Sequence, residues 1–248
     1  MYDGFFAFLE NTRAPGSGFK LFGPEHLIFL ALIAVGIAVM CICYKRLDSV
    51  RRLSMMRITA VTILLMEAVK QVLVIFQTMP NYPLGVLPFH LCGLSIFVEQ
   101  IHAIKPNKTT GEILYSLGIP GAVAALLFCN WTMYPIFNFH GLQSFIIHGL
   151  HIAFPAMLIY GGDFRPRFSQ IWRPALFLLI IVPPIYFLNK AIDTNFFFVN
   201  AGSEGSPLEI LINLMGNPGF LVGFAGLLLV VWIIIYLPFI IIDSRKRR

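Results

Sequence analysis

The sequence predicts an all-α membrane protein, a helical bundle with seven transmembrane helices. Of its 248 residues, 58% are hydrophobic and only 12% are charged, and the mean hydropathy is +0.80. Soluble domains average roughly 25% charged residues, so lipid must be the solvent for most of this chain. Seven spans of about 20 apolar residues use more than half of the chain and leave no room for a soluble catalytic domain.

Apolar runs between breaking or polar residues mark the seven spans. Each run is long enough to cross a bilayer as a helix. The predicted spans are 25 to 44, 57 to 79, 87 to 104, 112 to 130, 142 to 161, 172 to 189 and 218 to 242.

Basic residues predict the orientation. Fourteen of the 18 Lys and Arg residues fall in alternate connections and the C-terminal tail, three fall on the opposite side, and Lys70 lies within span two. Because positively charged loops stay cytoplasmic, we expect the N-terminus outside and the C-terminus inside. These loops also explain the net charge of +6 without a nucleic-acid partner. We expect a multi-pass protein of a bacterial cell membrane.

Two segments outside the spans have their own pattern. Residues 1–24 contain the aromatic cluster Phe5, Phe6 and Phe8, too short to span, and predict an outer interfacial segment. Residues 25–248 then form the single transmembrane domain. In its longest outer connection, Ser206-Pro207-Leu208-Glu209 has a capping residue, a proline at the first helical position and a capping-box glutamate. This predicts a short interfacial helix near 206–216.

Ionisable side chains inside the spans point to function, because they are costly in lipid and usually face a cavity or each other. In span two, Glu67 and Lys70 are three residues apart and share a helical face, which predicts an ion pair, with a relay or substrate contact as the alternative. In span three, Cys92 and Glu99 share one stripe, whereas His90 lies about 200° from Cys92 on a regular helix.

Span five carries two histidines within one turn. Ser144, His148 and His151 share one face by their four-then-three spacing. With about 1.5 Å of rise per residue, Cys92 lies about 7 Å below the outer face and His148 about 9 Å, so the two occupy one layer. The remaining candidates are Asn130 and His140 just above that layer, and Glu67, Lys70 and Glu99 below it.

A thiol and an imidazole in one layer allow two chemistries. In the first, His148 or His151 deprotonates Cys92, which attacks an acyl carbonyl, while Asn130 or His90 stabilises the oxyanion. In the second, Cys92 and the two histidines, with or without Glu99, bind a metal such as zinc, although no HExxH or CxxC motif is present. We favour acyl transfer, with membrane lipids as substrates and with neither a metal nor another cofactor.

Three motifs carry a resemblance to a known family. Leu87-Pro88-Phe89-His90-Leu91-Cys92, His148-Gly149-Leu150-His151 and Phe22-Gly23-Pro24-Glu25-His26 resemble the YwaF-like family of seven-span membrane proteins. One eukaryotic branch of that family is regarded as a cysteine-dependent phospholipid acyltransferase. The resemblance implies that Cys92 is the nucleophile and that a histidine of span five is its base.

Two other functions stay open at this point. A transporter or channel for a small polar solute would use Glu67, Lys70, Glu99, His148 and His151 as its route. Such a route needs polar residues through the whole thickness of the membrane, and the inner half offers little beyond His102. A seven-span receptor or sensor is the third hypothesis. The sequence leaves the acyl donor, the acceptor and the oligomeric state open.

Overall fold

A computed structural model describes residues 4–8, 18–202 and 205–246. For Lys246 only the backbone is described. This part of the chain is all-helical and contains no strand. The helices are α1 (Pro24–Arg46), α2 (Ser49–Thr78), α3 (Leu91–Ile104), α4 (Lys108–Ile113), α5 (Ile119–Leu127), α6 (Phe139–Gly161), α7 (Trp172–Ile192), α8 (Pro207–Met215) and α9 (Phe220–Lys246).

Seven helical segments of the described chain are long and apolar enough to cross a membrane, as the sequence predicts. Span two begins at Ser49, eight residues earlier than expected. The reason is an N-cap: the carboxylate of Asp48 accepts hydrogen bonds from the N–H groups of Val50 and Arg51, both 3.0 Å long. The hydrogen bond from Arg51 is the main cause of the lowered pKa of Asp48.

The fourth span consists of α4 and α5 joined by a π-helical turn, Leu114–Gly118. Pro120 follows this turn and has no N–H to give to the carbonyl of Ser116, its acceptor in a regular α-helix. The indole Nε1 of Trp232 in α9 donates to that carbonyl instead, at 2.9 Å. The hydroxyl of Tyr115 also donates to the carbonyl of Ile235, at 2.5 Å. Span four is therefore hydrogen-bonded to α9 at the point where its own backbone hydrogen bonds are interrupted.

Helix α6 lies at the centre of the bundle, against α1, α2 and α5. More than half of the residues in its apolar stretch are buried, compared with 11% for α1, α7 and α9. At Gly149 a side chain would begin 3.0 Å from a methyl carbon of Ile33 in α1. The absence of that side chain allows α1 and α6 to pack closely. The face of α6 that carries the two histidines is thus surrounded by other helices.

We call the end at which α1, α3 and α6 begin the outer end, because the basic residues predict that it faces outside. Residues 4–8 lie on this end: Gln77 Nε2 donates to the carbonyl of Phe6 (2.8 Å), and Asn138 Nδ2 donates to that of Ala7 (2.8 Å). The rest of the expected interfacial segment, residues 1–3 and 9–17, lies outside the described residues.

The predicted short helix forms as α8, in which Pro207 is the first residue and Ser206 Oγ accepts from the N–H of Leu208 (3.2 Å). Its place at the membrane interface stays a prediction. The orientation also stays a prediction, and three of the basic residues that it uses, Arg13, Arg247 and Arg248, lie outside the described part of the chain.

Candidate functional site

Helix α3 begins at Leu91, so Cys92 is its second residue. The expectation that span three is helical from residue 87 is wrong. His90 is the N-cap residue, with an extended backbone (φ −67°, ψ 162°), and its carbonyl accepts a hydrogen bond from the N–H of Leu94 (3.0 Å). Because residue 90 is not helical, the angle of about 200° between His90 and Cys92 on a regular helix does not apply.

The first turn of α3 has two local features that offset part of the cost of burying a thiolate at Cys92. The N–H groups of Leu91, Cys92 and Gly93 have no acceptor within the helix, and the positive end of the helix dipole lies here. Both features stabilise a thiolate. Gly93 is required by the chain that precedes the helix, because a Cβ atom at this position would lie 2.3 Å from the carbonyl oxygen of Pro88.

A buried hydrogen bond joins α3 to α6. Glu99 Oε1 lies 2.9 Å from His151 Nδ1, and the two side chains are 0% and 1% exposed. Glu99 is eight residues from the start of α3, whereas His151 is twelve residues from the start of α6. At 1.5 Å per residue, α3 therefore begins roughly 6 Å deeper in the bundle than α6. On the same scale Cys92, one residue into α3, lies roughly 6 Å nearer the outer end than His148, which is nine residues into α6.

The hydrogen bonding of His148 defines which of its ring nitrogens carries the proton. Its Nδ1 lies 2.6 Å from the carbonyl oxygen of Ser144, which can only accept, so Nδ1 carries the proton. In the neutral imidazole, Nε2 then keeps its lone pair. The ring is stacked on the indole of Trp131, with centroids 5.1 Å apart and an angle of 15° between the planes. The stacking and the hydrogen bond hold this histidine in one orientation and one tautomer.

Two polar atoms of the Glu99–His151 pair have no hydrogen-bond partner among the described residues. They are Glu99 Oε2 and His151 Nε2, and both are buried. Buried polar atoms are rarely left unpaired, and exceptions often mark functional sites. A carboxylate that bonds one nitrogen of a histidine and leaves the other nitrogen unpaired is the arrangement that orients catalytic histidines. The rings of His148 and His151 are neighbours, with centroids 6.1 Å apart.

Helix α2 contributes a second polar network. Lys70 Nζ lies 2.8 Å from Glu67 Oε1, so the expected ion pair is present in the structure. Gln71 Nε2 donates to the same carboxylate oxygen (2.7 Å) and to the carbonyl of Val86 (2.8 Å), and the hydroxyl of Tyr82 bonds to Gln71 Oε1. This network fastens α2 to the segment that leads into α3.

The two networks and the thiol form one cluster. Glu99, Lys70 and Glu67 act electrostatically on the Cys92 thiol. His151, Lys70 and His90 act in the same way on the imidazole of His148. The structure thus brings together seven of the ten predicted site residues, from α2, α3 and α6: Glu67, Lys70, His90, Cys92, Glu99, His148 and His151.

We expect Glu67 and Lys70 to contribute to stability as one unit. Lys70→Met leaves a largely buried carboxylate without its cation, and the free energy of unfolding should fall by about 2 kcal/mol. Glu67→Gln combined with Lys70→Met should recover most of the loss, because the amide can still accept from Gln71. Thermal unfolding in detergent measures both effects. An equal loss in the single and the double variant contradicts the pairing.

Two predicted site residues, Asn130 and Ser144, lie apart from the cluster, and a third, His140, is linked to it only through the charge of Lys70. Asn130 is exposed in the connection after α5, which argues against its predicted role as an oxyanion donor. Ser144 Oγ donates to the carbonyl of His140, at 2.8 Å. The ring of His140 packs against Phe8 and Tyr134, with centroids 5.2 and 5.7 Å away. No hydrogen bond joins any of these three side chains to Cys92 within the described structure.

A second cysteine also lies beside a histidine, but this histidine cannot act as a base. Cys129 Sγ is 3.8 Å from Nε2 of the fully buried His26. The Nδ1 atom of His26 accepts from the N–H of Phe22 (2.9 Å), so Nε2 carries the proton and donates to the carbonyl of Leu126 (2.8 Å). Burial raises the pKa of the Cys129 thiol to about 11. This pair is structural.

Sequence reasoning missed the residues that cover His90. The rings of Phe196 and Phe198 both lie with their centroids 5.2 Å from that of His90. They belong to a 3-10 turn, Phe196–Phe198, between α7 and α8. Three consecutive phenylalanines flanked by Asn195 and Asn200 are a signal for a packed turn, but the sequence does not indicate what the turn packs against.

A metal site receives no support from the geometry. In the part of the chain that the structure describes, no three His, Cys, Asp or Glu groups are arranged to hold an ion.

Comparison with known proteins identifies a family. Residues 21–236 match the TMEM164 family, and this range runs from just before α1 into α9 and includes the whole cluster. No curated protein and no solved structure matches the chain. The comparisons give no support to the YwaF-like family or to its acyltransferase branch, but they agree with the seven apolar helices that this is a multi-pass membrane protein. The match covers most of the chain, which therefore belongs to the TMEM164 family.

Proposed function

We propose that this protein is a membrane-embedded acyltransferase or transacylase that moves a fatty acyl chain between lipids through a thioester on Cys92. The observation that carries the proposal is the surroundings of Cys92. The thiol lies in the first turn of α3, in one cluster with His148, whose free Nε2 can accept a proton. Lipids are the acyl esters that reach such a site from the bilayer, and we expect the membrane to be that of a bacterial cell.

In the first half-reaction, His148 Nε2 takes the proton of the Cys92 thiol. The thiolate attacks the ester carbonyl of the donor lipid, and the carbon–sulfur bond forms as the carbon–oxygen ester bond breaks. The leaving alkoxide takes the proton from His148. The backbone N–H groups of Cys92 and Gly93 are the nearest donors for the oxyanion, because they belong to the same first turn. They replace Asn130 in that role.

The second half-reaction is the reverse with another alcohol. A hydroxyl group of the acceptor lipid gives its proton to His148, its oxygen forms a bond with the acyl carbon, and the carbon–sulfur bond breaks. The proton then returns to the sulfur. The Glu99–His151 pair, beside His148, stabilises the imidazolium that forms in each half-reaction, since Glu99 contributes a carboxylate to an apolar region.

The transporter alternative has no observation in its favour. A polar route would need side chains in the inner half of the bundle that are free to bind a solute. There, His102 Nδ1 bonds to Thr110 Oγ1 (2.7 Å), and the carboxylate of Glu112 accepts from the hydroxyl of Tyr236 (2.6 Å). Both ionisable groups are occupied by structural partners.

The direct test is to trap the acyl-enzyme. Purified protein in phospholipid vesicles, quenched in acid, should show a mass increase equal to one acyl chain, located on the peptide that contains Cys92. His148→Ala should lower the rate of this acylation at least about 10²-fold, the usual size of a general-base effect. His151→Ala should lower it less, because His151 acts through His148. Acylation at another cysteine, or none in the wild-type protein, contradicts the proposal.

A further inference from the structure

The turn Phe196–Phe198 packs against the residues that lead into α3, just before Cys92. Phe196 is fully buried, and its ring contacts those of Phe89 and His90, with centroids 5.5 and 5.2 Å away. Phe197 and Val199 are also buried, in an apolar cluster that includes Leu91 and Leu94 of α3. Leu91 and Leu94 are three residues apart and share one face of the first turn of α3. The turn therefore covers the first turn of α3 with apolar side chains.

One asparagine holds the turn in place. Asn189, in the last turn of α7, is 1% exposed and uses both ends of its side-chain amide. Its Nδ2 donates to the carbonyl of Phe196 (2.9 Å) and to Asn200 Oδ1 (2.7 Å), while its Oδ1 accepts from the N–H of Phe196 (2.9 Å) and from the hydroxyl of Thr194 (3.0 Å). The amide thus binds both backbone groups of Phe196.

Further asparagines fix the rest of the connection. Asn195 Oδ1 accepts from the N–H groups of Asn200 and Ala201, both 3.1 Å long, and Asn217 Nδ2 donates to the carbonyl of Asn200 (2.6 Å). Phe197 and Phe198 have positive φ values of 59° and 55°, a conformation that side chains larger than glycine rarely adopt. A backbone held so far from its preferred conformation requires these hydrogen bonds to persist.

We infer that Asn189 is a positioning residue that holds this turn as a water-excluding cap over the Cys92 thioester and so makes the protein a transferase rather than a hydrolase. The inference rests on the proposed function. The thioester has two competing fates. A lipid hydroxyl gives a new ester, whereas water forms a bond with the acyl carbon, breaks the carbon–sulfur bond and releases a free fatty acid. Acceptor lipids arrive from the bilayer, but water arrives from the outer end, where the cap lies.

The test is the partition between the two products. Asn189→Asp keeps the size and the acceptors of the side chain but removes both hydrogen bonds that Nδ2 donates. We expect the ratio of free fatty acid to transferred ester to rise about tenfold, consistent with the loss of two buried hydrogen bonds, while the rate of Cys92 acylation changes little. Asn107→Asp is the matched control, because Asn107 Nδ2 donates to the carbonyl of Lys105 (3.0 Å) at the opposite end of the bundle. Its ratio should equal that of the wild-type protein.

A second variant protects the test against misfolding. Phe198→Leu removes one of the two rings that lie against His90 and leaves the contacts of Asn189 intact, and it should raise the same ratio. If the wild-type protein forms and transfers the thioester but both variants partition as it does, the cap is wrong and the proposed function stands. If the wild-type protein never acylates Cys92, both fall. If Asn189→Asp does not fold, Phe198→Leu decides.

Discussion

Cys92→Ser should abolish acyl transfer while the protein remains folded. Serine is close to cysteine in size, so the packing at the start of α3 should be unchanged. A serine hydroxyl is far harder to deprotonate than a thiol, and His148 cannot activate it to the same degree. We expect at least a roughly 10³-fold loss of transfer between labelled phospholipids in vesicles. Full activity in the purified variant eliminates the mechanism.

The matched control is Cys129→Ser. Cys129 is also buried and also lies beside a histidine, but both ring nitrogens of that histidine are already hydrogen-bonded to the backbone. The variant should transfer acyl chains at the wild-type rate. The comparison isolates the first turn of α3, because both variants make the same chemical change at a cysteine near an imidazole.

His151→Leu should cause the largest loss of stability of any single change in the cluster. It leaves the fully buried carboxylate of Glu99 without its only hydrogen-bond partner in the described structure. Leaving a fully buried acid group without its hydrogen-bond partner typically costs about 3 kcal/mol. Adding Glu99→Gln to His151→Leu should recover part of this, because an uncharged amide costs less to bury. Thermal unfolding of the purified variants in detergent measures the differences.

His102→Leu provides the comparison for that loss. His102 is also a buried histidine and bonds only to the neutral hydroxyl of Thr110. Its replacement should cost about 1 kcal/mol, the typical worth of one neutral hydrogen bond. Equal losses for His102→Leu and His151→Leu contradict the expectation that Glu99 depends on its bond to His151.

The seven spans could be predicted because lipid imposes a strong rule on sequence. Every backbone polar group must be bonded within its own helix, so the spans are long apolar runs that composition alone reveals. The boundaries depend on weaker, local interactions. With Asp48 as its N-cap, α2 begins eight residues before the predicted apolar run. Its first residues are largely polar, so hydropathy does not reveal that they are helical.

The pairing of residues in the site was partly predictable. Glu67 and Lys70 share one helix, where spacing determines contact, and their ion pair is present. The pair Glu99 and His151 joins two helices, and the sequence gives no measure of how far α3 is shifted relative to α6. That shift of roughly 6 Å depends on the start of α3 at Leu91, which the prediction placed too early. The turn over His90 was missed for the same reason, since it packs across the bundle.

The bond between Trp232 and the carbonyl of Ser116 has a consequence for how this sequence can evolve. Trp232 supplies the donor that Pro120 lacks, so each of these residues matters mainly while the other is present. Loss of the tryptophan alone leaves a buried carbonyl without a donor, whereas exchange of the proline for alanine restores an N–H and makes the indole bond redundant. The two positions, 112 residues apart in the sequence, are therefore expected to covary.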